Sequence, residues 1–312
     1  MNNNSPVLLI VFNRPDTTQK VFDAIRRAKP KKLYIAADAP REGNESDVNN
    51  CALVKEIVES VDWDCENHYK YANINQGCGN GVYNAISWAF ENEDRLIIIE
   101  DDCVPALPFF DYCDELLEKY IYDTRIWVIS GSQFNEEAVN TTHDYFFSRY
   151  GHIWGWATWK RCWATMDMTL SKFPLIMEED LYKSAFRTKK EAAFFRKKYS
   201  RIYNNKEAKP HTWDRQFDFS VISNGGLCIV PKKNLITNIG YLGSHAETKN
   251  SFHDRNVDNN FKINSHPEFI LCDRNYDTYH FNHHIYNYKY LFRWLALKVR
   301  KIVKKKNRYK SA

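Results

Sequence analysis

A chain of 312 residues, 44% hydrophobic and 27% charged with 11 Gly and 10 Pro, has the composition of a folded globular protein and excludes a disordered or collagen-like one. The length gives about two domains, or one large α/β domain with appendages. Its net charge of +5 is unevenly placed: residues 288–312 hold ten of the 44 Lys and Arg and no acid, so the other 34 bases face 39 acids, a net of −5.

The eight cysteines form no CxxC pair, which argues against a zinc ribbon or a disulfide-dense secreted fold and fits a reducing cytoplasm. Residues 1–5 carry no basic side chain, and the apolar run at 6–12 is too short for a secretory signal. No run of about 18 apolar residues is present to span a bilayer.

In chain order, Pro6 to Phe12 (PVLLIVF) reads as a first strand buried on both faces and ended by Asn13-Arg14-Pro15. Asp16 with Gln19 forms a possible capping box for a helix whose inner stripe is Val21, Phe22 and Ile25. Lys32 to Ala37 is a second strand that ends at Asp38, and Val48, Cys51, Val54, Ile57 and Val61 recur at helical spacing. A short third strand is expected over Tyr69 to Ile74. The glycines 77, 79 and 81 precede a helix through Ala85, Ile86 and Ala89. RLIIIE at 95–100 is a fourth strand, a helix follows over 108–120, and IWVIS is a fifth strand. Alternating strands and helices predict a mostly parallel α/β sheet, whose ligands bind beyond the carboxyl ends of the strands. Asn13 with Arg14, Asp38, and Glu100-Asp101-Asp102 all stand at such ends and are expected to converge. Beyond residue 135 the pattern weakens into aromatic-rich sequence, read as irregular structure over one sheet edge. Residues 249–287, polar and rich in Asn and His, resist assignment.

The acidic triplet follows a strongly apolar strand, and its hard oxygen donors suit Mg²⁺ or Mn²⁺ held by one or two carboxylates and phosphate oxygens; the plainer alternative is a solvated acidic turn. The loop Asn75 to Gly81, including Gly79, offers backbone N–H groups to a phosphate at a helix start, or is simply a flexible turn. It matches neither GxGxxG nor GxxxxGK[ST]. Trp154, Trp156, Trp159 and Trp163 form a core anchor or leave a ring exposed to stack on a sugar. Asp214 and Asp218 lie four apart, on one face of a helix, as a candidate general base or as a helix cap. His245 is either a ligand or a structural histidine, and the remaining histidines lack metal-ligand spacing. Residues 288–312 read as an imperfect basic amphipathic helix suited to an anionic membrane surface, with no nucleic-acid motif to favour that alternative.

Taken in order, PVLLIVFNRP, AADAPR, NQGCGNG, LIIIEDDCVP, WGWATW and WDRQFD resemble a glycosyltransferase of the GT-A fold. The similarity is to the group of N-acetylglucosaminyltransferase I and bacterial enzymes of surface-polysaccharide synthesis, and it covers about residues 6 to 245. It implies that Asn13 and Arg14 border the nucleotide and that Asp38 accepts a hydrogen bond from uracil. Asp101 would lie near ribose or diphosphate, Asp102 would bind Mn²⁺, and Asp214 would be the general base with Asp218 as its substitute. The triplet EDD replaces the commoner spaced DxD.

The resulting expectation is a GT-A-like mixed, mostly parallel sheet flanked by helices. Residues 1–135 would form the nucleotide-sugar-binding half and 136–248 the acceptor half, with Trp154 and Trp156 stacking on sugar. The segment 249–287 would be irregular and 288–312 a basic tail. The function expected is metal-dependent, inverting transfer from a UDP-sugar to a glycan or lipid-linked acceptor, in the cytoplasm at the inner face of the membrane. The alternatives are a sugar-1-phosphate nucleotidyltransferase and a noncatalytic carbohydrate-binding protein.

Overall fold

The computed structural model describes residues 5–179, 181–205, 212–241 and 253–286. The basic tail at 288–312 and His245 lie outside them.

The chain alternates strand and helix through its first 130 residues. β1 (Val7–Val11) leads into α1 (Pro15–Ala28), then β2 (Lys32–Ala37), α2 (Glu45–Glu59), β3 (Glu66–Tyr71), α3 (Gly77–Asn92) and β4 (Arg95–Glu100). A short β5 (Cys103–Pro105) precedes α4 (Pro108–Lys119) and β6 (Ile126–Ser130). The second half contains β7 (Tyr145–Ser148), β8 (Trp156–Trp159), α5 (Lys160–Trp163), α6 (Phe173–Glu178) and α7 (Lys189–Asn204). It ends with α8 (Asp214–Ser223), β9 (Leu227–Pro231), β10 (Ile236–Asn238) and α9 (Arg274–His280).

Eight strands form one sheet in the order β3-β2-β1-β4-β8-β6-β9-β7, and β10 pairs with β5 in a separate ribbon. β1 is parallel to both β2 and β4, β2 is parallel to β3, and β6 is parallel to β9; β8 and β7 run the other way. The mixed, mostly parallel sheet flanked by helices is therefore present. Its centre is the apolar run of β1, where Val7, Leu8 and Leu9 are fully buried beside Leu33, Ile35, Ile97 and Ile99. Such continuous burial follows from helices covering both faces of a parallel sheet.

Local expectations differ in four places. Pro15 opens α1 at its first turn, with no side-chain cap; Asp16 only contributes charge there, and Gln19 donates to Asp23 instead. The third strand is Glu66–Tyr71, not 69–74, because its register is set by pairing Lys32 with Glu66 and Ala37 with Tyr71. β3 is a half-exposed edge strand, so it needs no apolar run, and the apolar Ile74 beyond it is 75% exposed. On α2, Val54 and Val58 are buried while Val48 is exposed, because Asn44 caps the helix and turns the buried Asp47 inward.

The largest correction concerns the aromatic region beyond residue 135. Instead of covering one edge, it completes the sheet: β8 lies in the middle, antiparallel between β4 and β6, with Ile98 opposite Trp156 and Arg95 opposite Trp159. Trp156 has no exposed surface, stacking on Trp213 at 5.5 Å and lying against Phe217 at 5.3 Å between ring centroids. A second core of Tyr150, Leu170, Phe173, Phe195, Tyr199 and Phe219 joins α6, α7 and α8. The polar segment before residue 287 is tied to the sheet through buried Asp277. Its carboxylate accepts hydrogen bonds from Ser148 Oγ (2.6 Å), Arg149 N (3.1 Å) and Cys272 Sγ (2.9 Å). Among the described residues no helix is long and apolar enough to cross a membrane.

Candidate functional site

Between β1 and β4 the direction of chain progress along the sheet reverses, and the loops beyond these carboxyl ends part to form a crevice. A cleft of about 730 Å³ lies there, lined by Asn13, Arg14, Asp38, Glu100, Asp101 and Asp102 together with Arg41, Lys70, Asn75, Gly77, Cys78, Gly81 and Gly240. The strand ends that the sequence singled out thus share one cavity, of a size usual for a small-molecule or nucleotide ligand.

Arg14 is the hub of its acidic wall. The guanidinium pairs with Asp101 through Nη2 and with Asp102 Oδ2 through Nη1 at 2.8 Å, and the Asp101 carboxylate also accepts from the Phe12 backbone N–H at 3.3 Å. Asp101 is nearly enclosed, with 5% of its side chain exposed, whereas Asp102 keeps 17% open. Three adjacent carboxylates facing one guanidinium leave negative charge uncompensated. Burial raises the Glu100 carboxyl well above the usual range, helped by the charges of Asp102 and Asp101. Burial also raises Asp101, against the pull of Arg14. These donors are all hard oxygens, which suits Mg²⁺ or Mn²⁺. Among the described residues no three His, Cys, Asp or Glu side chains are grouped to enclose an ion by themselves. A cation at Asp102 would therefore need ligand oxygens from the cleft. Asp102 also packs directly on the Gly240 backbone: a Cβ there would stand 2.0 Å from Asp102 Oδ2.

Asp38 is placed in the cleft, but its carboxylate is already engaged. It accepts hydrogen bonds from the backbone N–H of Ala39 (2.9 Å), Gln76 (2.9 Å) and Gly77 (2.9 Å) and from Asn75 Nδ2 (3.1 Å). A contact to a base ring would have to displace one of these. The same bonds correct the reading of the glycine loop: the N–H groups of Gln76 and Gly77 serve Asp38 and are not free for phosphate. Gly77 has φ +74°, a backbone that L side chains rarely adopt, while Gly79 is buried inside α3 and does not line the cleft.

Two further expectations are corrected by packing. Trp156 presents no face to a ligand because β8 is interior, and Trp154, half-buried, is stacked on His253 and set edge-on to Phe134; neither ring lines the cleft. Asp218 is bound by Lys198 Nζ (2.9 Å) and Tyr199 Oη (2.9 Å), which fixes α8 to α7 and leaves it no part in the cleft. Asp214, at the start of α8, is different. Its buried Oδ1 has no hydrogen-bond partner, and its charge reaches the Cys78 thiol, which burial first and Glu100 next push up to about 12.

The sequence reading passed over Asp47 and Arg41. Asp47 is 2% exposed and accepts from Arg41 Nε (2.5 Å) and Asn13 Nδ2 (2.7 Å), with the Arg41 hydrogen bond chiefly holding its carboxyl down at about 2. It positions two cleft residues at once. The signal in the sequence was the pair Asn44 and Asp47, three apart at a helix start. Also unforeseen was the packing of His152, His280 and His284, with His280 centred 4.8 Å from His152 and 4.7 Å from His284. Burial holds His152 and His280 well below the usual imidazole range.

No family model and no curated protein matches the chain. Among solved structures it is similar to HddC from Yersinia pseudotuberculosis at 9% identity and a TM-score of 0.30, over 50% of this chain and 78% of that one. It is similar to a UDP-glucose pyrophosphorylase complexed with UDP-glucose at 8% identity and 0.29, over 52% and 78%. A third is 4-diphosphocytidyl-2C-methyl-D-erythritol synthase from Anaerococcus prevotii DSM 20548, at 10% identity and 0.31, over 70% and 97%.

Proposed function

We propose that the protein transfers a sugar from a UDP-sugar to a hydroxyl of a glycan or lipid-linked acceptor. The observation that carries this reading is the shared cleft beyond β1, β2 and β4, where Asp38, Asp101 and Asp102 meet around Arg14. In it, the acidic wall marks the diphosphate end, and the segment around Asn13, Arg41 and Asp47 supports the nucleoside. A divalent ion at Asp102 would offset charge on the departing UDP. Asp214 takes the acceptor proton as that oxygen bonds to the anomeric carbon and the bond to UDP breaks, so the anomeric centre inverts. An Oδ1 without a partner is suited to that task, since no hydrogen bond must first be broken.

A panel of nucleotide-sugars with Mn²⁺, against an EDTA control, tests the proposal: release of UDP with an acceptor present is expected. Release of pyrophosphate from UTP and a sugar 1-phosphate would favour the nucleotidyltransferase alternative, and sugar binding without turnover a noncatalytic protein. Asp214→Asn is expected to lower kcat by about 100-fold or more, the scale of general base catalysis, with donor affinity retained. Loss of donor affinity would make Asp214 a binding residue.

A further inference from the structure

The Arg14 ion pairs have a consequence for how the ligands of the proposed transfer site enter, and the argument rests on that reading of the cleft. Asp102 is the more open carboxylate of the acidic wall, yet its Oδ2 is taken by Arg14 Nη1 at 2.8 Å. A divalent ion ligating Asp102 would sit about 2 Å from a carboxylate oxygen. It would then share one small carboxylate with the guanidinium, and two cations at such range repel strongly in a site shielded from water. Asp101, more enclosed, is bound by both Nη2 and Nε of Arg14 and so anchors the side chain. The guanidinium itself is 28% exposed and faces the cleft from the N-terminal end of α1. Its planar fork of N–H donors matches a diphosphate as well as it matches two carboxylates.

We propose that Arg14 is a resident counter-ion of the acidic turn, displaced from Asp102 by the divalent cation and then engaged by the nucleotide diphosphate. The free protein thus resists the metal, and the metal and the diphosphate assist each other: the ion releases Arg14, and the phosphates accept it. Such coupling is reciprocal by linkage.

The test is a calorimetric titration of Mn²⁺ alone and of UDP, each with and without the other, on the full chain. In the unaltered protein UDP is expected to tighten Mn²⁺ binding by about 10-fold or more, and Mn²⁺ to tighten UDP binding by the same factor, within the usual range of such couplings. Arg14→Met is expected to bind Mn²⁺ alone about 10-fold more tightly, with most of the mutual enhancement lost. Arg14→Lys keeps the cation and is expected to leave the affinity for Mn²⁺ alone close to that of the parent. If Arg14→Met fails to fold, Arg14→Gln replaces it in the same comparison. Unchanged or weaker Mn²⁺ binding in the neutral variant would overturn the proposal even if UDP binds normally. Absence of UDP binding to the unaltered protein would instead overturn the nucleotide reading, because the Mn²⁺-only comparison needs no nucleotide.

Discussion

Replacing Asp102 with asparagine is expected to lower turnover by about 100- to 1000-fold, the usual cost of removing one preorganised electrostatic group at the reacting centre. The substitution keeps the shape that packs against Gly240 and removes only the charge. Arg14 retains its pairing with the more enclosed Asp101, and the hydrogen bond from Phe12 N to Asp101 is untouched. The thermal midpoint should therefore stay within a few degrees of the parent, since a partly exposed ion pair contributes about 1 kcal/mol or less. Steady-state kinetics with Mn²⁺ and a melting curve check both halves. Near-normal rates would remove Asp102 from the chemistry.

Trp156→Ala is expected to act on stability, at about 3–5 kcal/mol, because it empties a fully buried indole site at the centre of the sheet. For a large domain each kcal/mol moves the midpoint by about 2–4 °C, so a fall on the order of 10 °C is expected. The stack on Trp213 and the contact with Phe217 at the base of α8 disappear together, which also loosens the helix that carries Asp214. Trp156→Phe should recover most of the loss with activity within a few-fold of the parent. If instead acceptor affinity collapsed with the midpoint unchanged, the ring would have to be a sugar platform after all.

The contrast between these residues shows what could be read in advance. β1, β2, β4 and β6 announce themselves as uninterrupted apolar runs, because a strand covered on both faces must be apolar throughout. The polar groups at their ends then follow from the architecture, and Asn13, Arg14, Asp38, Asp101 and Asp102 share one cleft. β8 was hidden because it is four residues long and has no apolar run, and its partners are 30 to 60 positions away. Partner choice was equally hidden. That Asp38 would use up the N–H groups of residues 76 and 77, or that Lys198 would claim Asp218, depends on contacts no local pattern encodes. Buried Asp47 escaped notice for the same reason: an isolated aspartate looks like surface until its arginine is found.

The central insertion of β8 also bears on biosynthesis. As the chain leaves the ribosome, β1 to β4 are complete by residue 100, but the free side of β4 finds its partner only when residues 156–159 emerge. Until then the nascent sheet presents an unpaired, strongly apolar border, the kind of edge that recruits other chains. Slow decoding between residues 100 and 160 would prolong that exposure, so the yield of native protein should depend on translation rate in this stretch more than on the rate before it.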